Sequence, residues 1–432
     1  MFMTSSTNQT QINLQRPKLL ILLTLYLAVF LNSFGYFITI PVLVNLIADP
    51  HAGILPAGLR SSVGDYIFSI VLGAGSLSHI ICAPLFGRWS DLIGRKKVLI
   101  ICTVFMLAGF LLPAISLILS SLTLFLLGNV LNGIASINQP LAQAAITDIS
   151  PNRKNKALRF SMDTIVICVA MVTGPVIGDV LSNKNLVSWF SNTTPFFAAA
   201  ILASLALILI ITVLPETNSH IKNKTSPNKN IISAFSNTFL DTFKLSNSLK
   251  RCLLVFFLAQ TSWAEFYQYF YIYLKNNFNF SQNNLAIYNA LLGVYLIFGL
   301  LIIYPILIRL VSFRRSVTLS LFLALIGALS IGWIHTPLSL WLGAIPLSLG
   351  IGMYFPSLLT LFSDHSSSQD QGWIMAVSMA LLGIAWLITG FTAIFLSHIT
   401  PHLPMQVMGS LLFLAMGLMI FENFKSANHH TG

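Results

Sequence analysis

One carboxylate stands where a carboxylate is costly. Glu265 lies midway along an apolar run, in Gln260-Thr261-Ser262-Trp263-Ala264-Glu265-Phe266-Tyr267-Gln268-Tyr269-Phe270-Tyr271. Placing an ionisable group at the centre of a hydrocarbon layer costs about 2.5–3.5 kcal/mol on insertion scales, so its presence asks for a use. A carboxyl kept from water can hold a proton and release it near neutral pH. It can also face the positive charge of a ligand. Gln268 and Tyr269 follow at i+3 and i+4 and share its side of a helix. Trp263, Tyr267 and Tyr269 add rings suited to flat apolar or cationic molecules. Tyr271 and Tyr273 lie nearer the end of the run and read as an interfacial aromatic belt. The plainer alternative is a protonated carboxyl hydrogen-bonded between helices.

Two further groups carry possible chemistry. His79 sits inside another apolar run, and imidazole titrates in the physiological range, so it is a candidate second proton site. Asn129, Asn132, Ser136, Gln139 and Gln143 fall on one side of a helix, within an arc of about 80° at 100° per residue. Polar side chains on one face within a membrane should look at a cavity or at another helix, not at lipid. Pro140 beside them is a candidate kink. Most of the other acids, namely Asp65, Asp91, Asp148, Asp163, Asp179, Asp364, Asp370, Glu216 and Glu422, are read as lying at the ends of apolar runs. His335 and His398 are read as wet groups at outer ends.

These residues need elements that hold them in a bilayer. The 432-residue chain is 56% apolar and only 8% charged, against about 25% charged in soluble domains. Apolar runs long enough to span a bilayer recur near 19–47, 65–87, 97–119, 122–146, 160–182, 193–214, 251–274, 283–310, 316–335, 338–362, 371–397 and 403–424. The reading is therefore an all-α membrane protein of twelve transmembrane helices in two six-helix halves. It divides into a tail at 1–18, a first half at 19–214, a polar linker at 215–250, a second half at 251–424 and a tail at 425–432. Residues 231–245 could form an amphipathic helix on the membrane surface. Of the 23 lysines and arginines, all but Arg60, Lys184 and Lys275 fall at the termini and on one set of loops. This bias places both termini in the cytoplasm. The cations are scattered among loops, so nucleic acid is not an expected partner. Cys82, Cys102, Cys168 and Cys252 lie in apolar runs without metal-ligand spacing and read as packing residues.

Between the second and third runs stands Gly87-Arg88-Trp89-Ser90-Asp91-Leu92-Ile93-Gly94-Arg95-Lys96-Lys97. Glycine permits a sharp turn there, Asp91 can cap the next helix, and Arg95, Lys96 and Lys97 hold the loop in the cytoplasm. This order of glycines, acid and cations resembles the signature loop of the major facilitator superfamily. Leu31-Asn32-Ser33-Phe34-Gly35-Tyr36 with Ile40-Pro41, and Gly174-Pro175-Val176-Ile177-Gly178 in the fifth run, resemble the twelve-span drug:proton antiporter branch that includes tetracycline exporters. The resemblance implies the major facilitator fold and two halves rocking about a central cavity. It implies Gly87, Asp91, Gly94, Arg95 and Lys96 as a conformational hinge, and Gly174, Pro175 and Gly178 as an antiporter motif. It departs at Asn32, where the branch usually carries an acid, and at Asn129, where it usually carries an arginine. Asp179 stands where a second glycine is usual, and Arg309, Arg314 and Arg315 occupy the hinge's place in the second half without its acid or glycines.

The expected activity is secondary transport, not enzymatic catalysis: proton-coupled export of small amphipathic or cationic organic compounds. Glu265 and His79 are the proton-coupling candidates. Asn32, Asn129, Asn132, Gln139, Gln143, Trp263, Tyr267, Gln268 and Tyr269 are the cavity candidates. No Gly-x-x-x-x-Gly-Lys-Ser/Thr loop is present, so ATP is not the direct energy source. No cofactor or metal is expected. The expected partners are a small-molecule substrate, protons and the lipid of a bacterial inner membrane, with a monomeric chain. A metabolite, siderophore or nutrient carrier of the same fold is the nearest rival. A transport-inactive receptor or assembly partner is a rival of another class.

Overall fold

A computed structural model describes residues 18–48, 61–218, 245–367 and 369–428. The stretch 231–245 expected to be amphipathic lies, but for Leu245, outside the described residues. The first half holds α1 (Lys18–Ala48), α2 (Ser61–Ile93), α3 (Arg95–Leu119), α4 (Leu122–Ala135), α5 (Asn138–Ile149), α6 (Arg153–Ser182) and α7 (Thr194–Thr212). The second half holds α8 (Asn247–Phe278), α9 (Gln282–Phe298), a π turn (Gly299–Ile303), α10 (Tyr304–Leu310), α11 (Phe313–Trp333), α12 (Pro337–His365), α13 (Gln371–Ile399) and α14 (Leu403–Asn428). No strand occurs among the described residues.

Short polar residues open many of these helices. The side chains of Asn152, Ser246, Ser281, Ser312 and Thr336 accept hydrogen bonds from backbone N–H groups three residues on. Each satisfies a donor that a helix start would otherwise leave without a partner.

Nine helical stretches among the described residues are long and apolar enough to cross a membrane. The expected second, fourth and seventh spans are not among them, and these are the ones bearing the hinge, the polar stripe and Glu265. The fourth is broken into α4 and α5. Pro140 cannot donate to the Ser136 carbonyl, so the chain tightens: Ile137 N–H bonds to Ile134 and Gln139 N–H takes the Ser136 carbonyl. The seventh is the unbroken 32-residue α8, whose hydropathy is lowered by its polar residues. The eighth unit, α9 to α10, carries its π turn just ahead of Pro305, where the helix accommodates the missing donor.

Packing repeats in each half. In the first, α1 lies along α6 and α7, and α3 along α4 and α7. In the second, α11 lies along α12 and α14, and α8 along α14 and α13. The halves meet where α2 runs along α13 and where α6 crosses α9 and α12. A Cβ on Gly174 would strike Phe37, and one on Gly178 the Ile38 carbonyl, so these glycines let α6 and α1 approach at backbone distance. Leu19, Val104, Ile201, Phe322 and Phe391 are exposed. This apolar exterior suits lipid.

Candidate functional site

The hinge forms the first part of the site. Gly94 has φ 116 and ψ 148, a conformation suited to glycine, and it breaks α2 from α3 in a single residue. Asp91 does not cap α3 as the sequence suggested. It reaches into the other half, where its Oδ1 and Oδ2 accept from the backbone N–H groups of Gly372 (3.0 Å) and Trp373 (2.9 Å) at the start of α13. The positive end of that helix is what attracts it. The cap of α3 comes instead from Glu216, whose two oxygens accept from Arg95 N–H (2.9 Å) and Lys96 N–H (3.2 Å). Arg95 is not a solvated loop cation. It is 0% exposed, paired with Asp91 at 2.6 Å and Asp148 at 3.1 Å, and it donates to Ser90 Oγ. Burial pushes the Asp148 carboxyl up to about 6, against the opposing pull of Arg95.

Further charged contacts join the halves at this same basic end. Arg88 pairs with Asp370 at 2.9 Å and lies over the Trp373 ring at 4.8 Å. Arg153 and Lys156, at the start of α6, both hold Asp364 at the end of α12. Gly87 packs so tightly on Ala376 and the Gly372 carbonyl that a Cβ there would clash. The end of α2 is thus tied to the start of α13, and the start of α6 to the end of α12.

The second part of the site surrounds Glu265. It is 1% exposed, on the side of α8 that faces α13. Thr392 Oγ1 donates to Glu265 Oε2 at 2.9 Å, while Oε1 is buried without a hydrogen-bond partner. Among the described residues no cation pairs with it. Gln268, one turn on, donates to Thr389 Oγ1 (2.6 Å) and to the Trp386 carbonyl (2.9 Å), as its shared helix face requires. Trp263, Tyr267 and Trp386 form a run of rings, with centroids 5.6 and 5.9 Å apart. Tyr267 also donates to Asn289 Oδ1 at 3.4 Å. Such a setting offers one buried oxygen free to accept a proton, while Trp263 and Tyr267, two residues to either side of Glu265, lie on another side of α8. The partners from α13 were missed in the sequence because threonines in an apolar helix carry no signal until a neighbour is known.

Other expected residues are placed differently. His79 is held at both nitrogens: Nε2 donates to the Met379 carbonyl of α13 (3.2 Å) and Nδ1 faces Ser136 Oγ. The stripe of α4 and α5 is divided by the break between them. Asn129 bonds to Phe125 of its own helix, Asn132 donates to the Gly109 carbonyl of α3, and Gln143 donates to Asp163 of α6. These are bonds within the first half. Asn32 and Gln139 are half-buried. Tyr269 is buried, with its ring 6.0 Å from that of Tyr273. Tyr273 is no belt residue: it is 0% exposed and hydrogen-bonded to His402 Nδ1 at 2.8 Å. His335 and His398 are exposed, as read, and His335 in addition stacks on His402 with centroids 3.8 Å apart. Asp163, read as a span-end acid, is fully buried ten residues inside α6. The sequence reading started this helix at 160, whereas it begins seven residues earlier at Arg153, capped by Asn152.

Comparison with known proteins adds a family. The model described as Major Facilitator Superfamily matches residues 25–390. The class H tetracycline resistance protein of Pasteurella multocida is 26% identical over 377 residues, covering 85% of this chain and 86% of that one. Multidrug resistance protein 2 of Bacillus subtilis is 21% identical over 429 residues, covering 96% and 98%. Among solved structures, the human organic anion transporter MFSD10 superposes with a TM-score of 0.77 at 20% identity, covering 94% of this chain and 100% of that one. The proton:xylose symporter XylE superposes with a TM-score of 0.74 at 15% identity, covering 92% and 95%.

Proposed function

Because the chain belongs to the major facilitator superfamily, and is therefore a membrane transporter and not an enzyme, we propose that it exports small amphipathic or cationic organic molecules in exchange for protons. Glu265 carries this reading. A carboxyl that is 1% exposed, with one neutral donor and one unpartnered oxygen, is unfavourable as a bare anion. It is relieved by a proton or by a cationic substrate, and competition between the two is the minimal requirement of antiport. Trp263, Tyr267 and Trp386 supply an apolar wall for the organic part of a substrate. Similarity to tetracycline and multidrug resistance proteins over 85% and 96% of this chain supports export.

In this reading the chain has twelve spans, acts as a monomer in a bacterial inner membrane and keeps its basic face in the cytoplasm. The conformer described has its halves tied together on that face. Its hinge contacts, Asp91 with α13 and Arg153 and Lys156 with Asp364, must break for substrate to enter from the cytoplasm. Alternating access then follows from the two halves rocking about the site. Asn32 and Asn129 cannot titrate, so proton coupling must rest on residues other than these. The same departure favours a dedicated metabolite carrier as the second reading.

Efflux of fluorescent cationic dyes from cells expressing wild type or Glu265→Gln, with and without a protonophore, tests the proposal. Wild-type efflux should collapse with the protonophore, and Glu265→Gln should fall to the rate of cells lacking the protein. Efflux by Glu265→Gln at wild-type rate and with unchanged pH dependence rejects Glu265 as the coupling group.

A further inference from the structure

Asp163 is used by nothing described so far. It lies on α6, about 15 Å along the helix from Arg153 at 1.5 Å per residue. It is 0% exposed, and among the described residues it has no ion pair. Gln143 Nε2 donates to its Oδ2 at 3.0 Å. Its Oδ1 and the Oε1 of Gln143 are both buried without a hydrogen-bond partner. Two adjoining side chains therefore present two unsatisfied acceptor oxygens, and the hydrogen bond between them runs from the amide N–H to the carboxylate alone. Buried polar atoms without partners are rare and costly, and a lone buried carboxylate is costlier still.

We propose that Asp163 and Gln143 form a second proton-binding site, in the half of the molecule that does not contain Glu265. A proton taken from water neutralises the carboxylate and adds a hydroxyl donor on the side of the pair that has only acceptor oxygens. Nothing is oxidised or reduced. The packed elements offer no competing charge. From α1, Tyr26 is the titratable neighbour, and its hydroxyl donates to the Arg159 carbonyl at 3.1 Å. On α6 itself, the Arg159 guanidinium is turned to the Ile149 carbonyl and Ser150 Oγ. From the second half, Asp364 of α12 is taken by Arg153 and Lys156, and Tyr304 of α10 is hydrogen-bonded to Ser357. From α5, Asp148 is taken by Arg95.

Asp163 and Glu265 thus form a matched pair, one in each half. Each accepts from one neutral side chain, keeps one free oxygen and lacks a cation. The Asp364 contacts of Arg153 and Lys156 sit at the basic end of α6, ten and seven residues before Asp163, so the conformational change that breaks them is the step at which its proton would exchange. What the proton drives rests on the transporter reading, but its binding does not.

Infrared difference spectra of the purified full-length protein, titrated from acid to alkaline pH without substrate, test the site. Beside the bands of its other titrating carboxyls, Asp148 among them, wild type should show two carboxylic C=O bands that bleach on alkalinisation and belong to these two sites. Asp163→Asn should remove one and Glu265→Gln the other. Gln143→Leu should shift the midpoint of the Asp163 band and leave that of Glu265 in place. A spectrum of Asp163→Asn that superimposes on wild type overturns the proposal. So does bleaching of the Asp163 band by sodium ions at fixed pH, which would make the site one for a metal cation. Should Asp163→Asn not fold, Asp163→Glu keeps the carboxyl, and an unmoved midpoint there overturns it equally. Because no substrate is present, loss of the band and loss of dye efflux are independent failures.

Discussion

Arg95 in the first half and Arg314 in the second stand at equivalent places, between the second and third helical units of each half, yet their surroundings differ. Arg95 is fully buried and meets Asp91 from its own loop, Asp148 from the end of α5 and, through its backbone, Glu216 beyond α7. Arg314 keeps 22% of its side chain exposed. It meets Glu422 at 4.0 Å, from α14, and His365 Nε2 at 3.3 Å, from the end of α12. The Glu422 carboxylate is shared with Arg251 and accepts from Ser248. The positions correspond closely: a loop cation, a group at the end of the fourth unit and an acid at the end of the sixth. What the second half lacks is the loop acid, and Asp91 is the member that crosses to the other half. The second half keeps the cluster that holds its own helix ends together, whereas the first half adds the contact that ties it to the other half. A loop cation paired within its own half suffices for the former, whereas capping the start of α13 takes a loop acceptor, here the Asp91 carboxylate.

That comparison can be broken most forcefully at Arg95. Arg95→Ala leaves Asp91 and Asp148 buried without their counter-charge. Losing one member of a buried pair costs about 3–5 kcal/mol, so the melting temperature in detergent should fall more than for any other loop cation. A fall no larger than that of a surface arginine would show that the cluster is wetter than its burial implies. Next in size is Gly94→Ala. Residues with a side chain pay roughly 1–3 kcal/mol in so unusual a backbone conformation, and the same thermal measurement should register it. An alanine tolerated without loss would mean that the hinge relaxes to another path. The smallest effect belongs to Arg314→Ala. Its partly exposed pair is worth about 0–1 kcal/mol. It should shift the melting temperature little and leave cross-linking between cysteines introduced near Asp91 and Trp373 unchanged. Arg314→Ala matching Arg95→Ala in either readout would erase the asymmetry between the halves.

The sequence carried the architecture because a bilayer imposes one rule on every span. Long apolar runs, few charges and cations gathered on alternate loops are local properties, and each survives without knowledge of any neighbour. Glu265 was visible for the same reason: an acid in mid-run is anomalous by itself. Its partners were not visible, since Thr392 and Thr389 become significant only when α13 lies along α8. The capping of α3 is a sharper case. Asp91 has the right residue type in the right place to cap the adjoining helix, and the sequence reading assigned it that role. Yet Glu216, some 120 residues away, occupies the cap and frees Asp91 to reach α13. Asp163 fails the sequence test in the opposite sense. Starting its apolar run at 160 made it look like a helix-end acid, but the helix begins at Arg153, and Arg153 and Lys156 hold Asp364 and leave Asp163 buried with Gln143. Composition and periodicity alone determined that this chain is a bundle of membrane helices with an acid in its seventh unit. Which buried acid is paired, which is left to take a proton and which ties the halves together was decided by packing, because a charge's partner is set by distance in space and not along the chain.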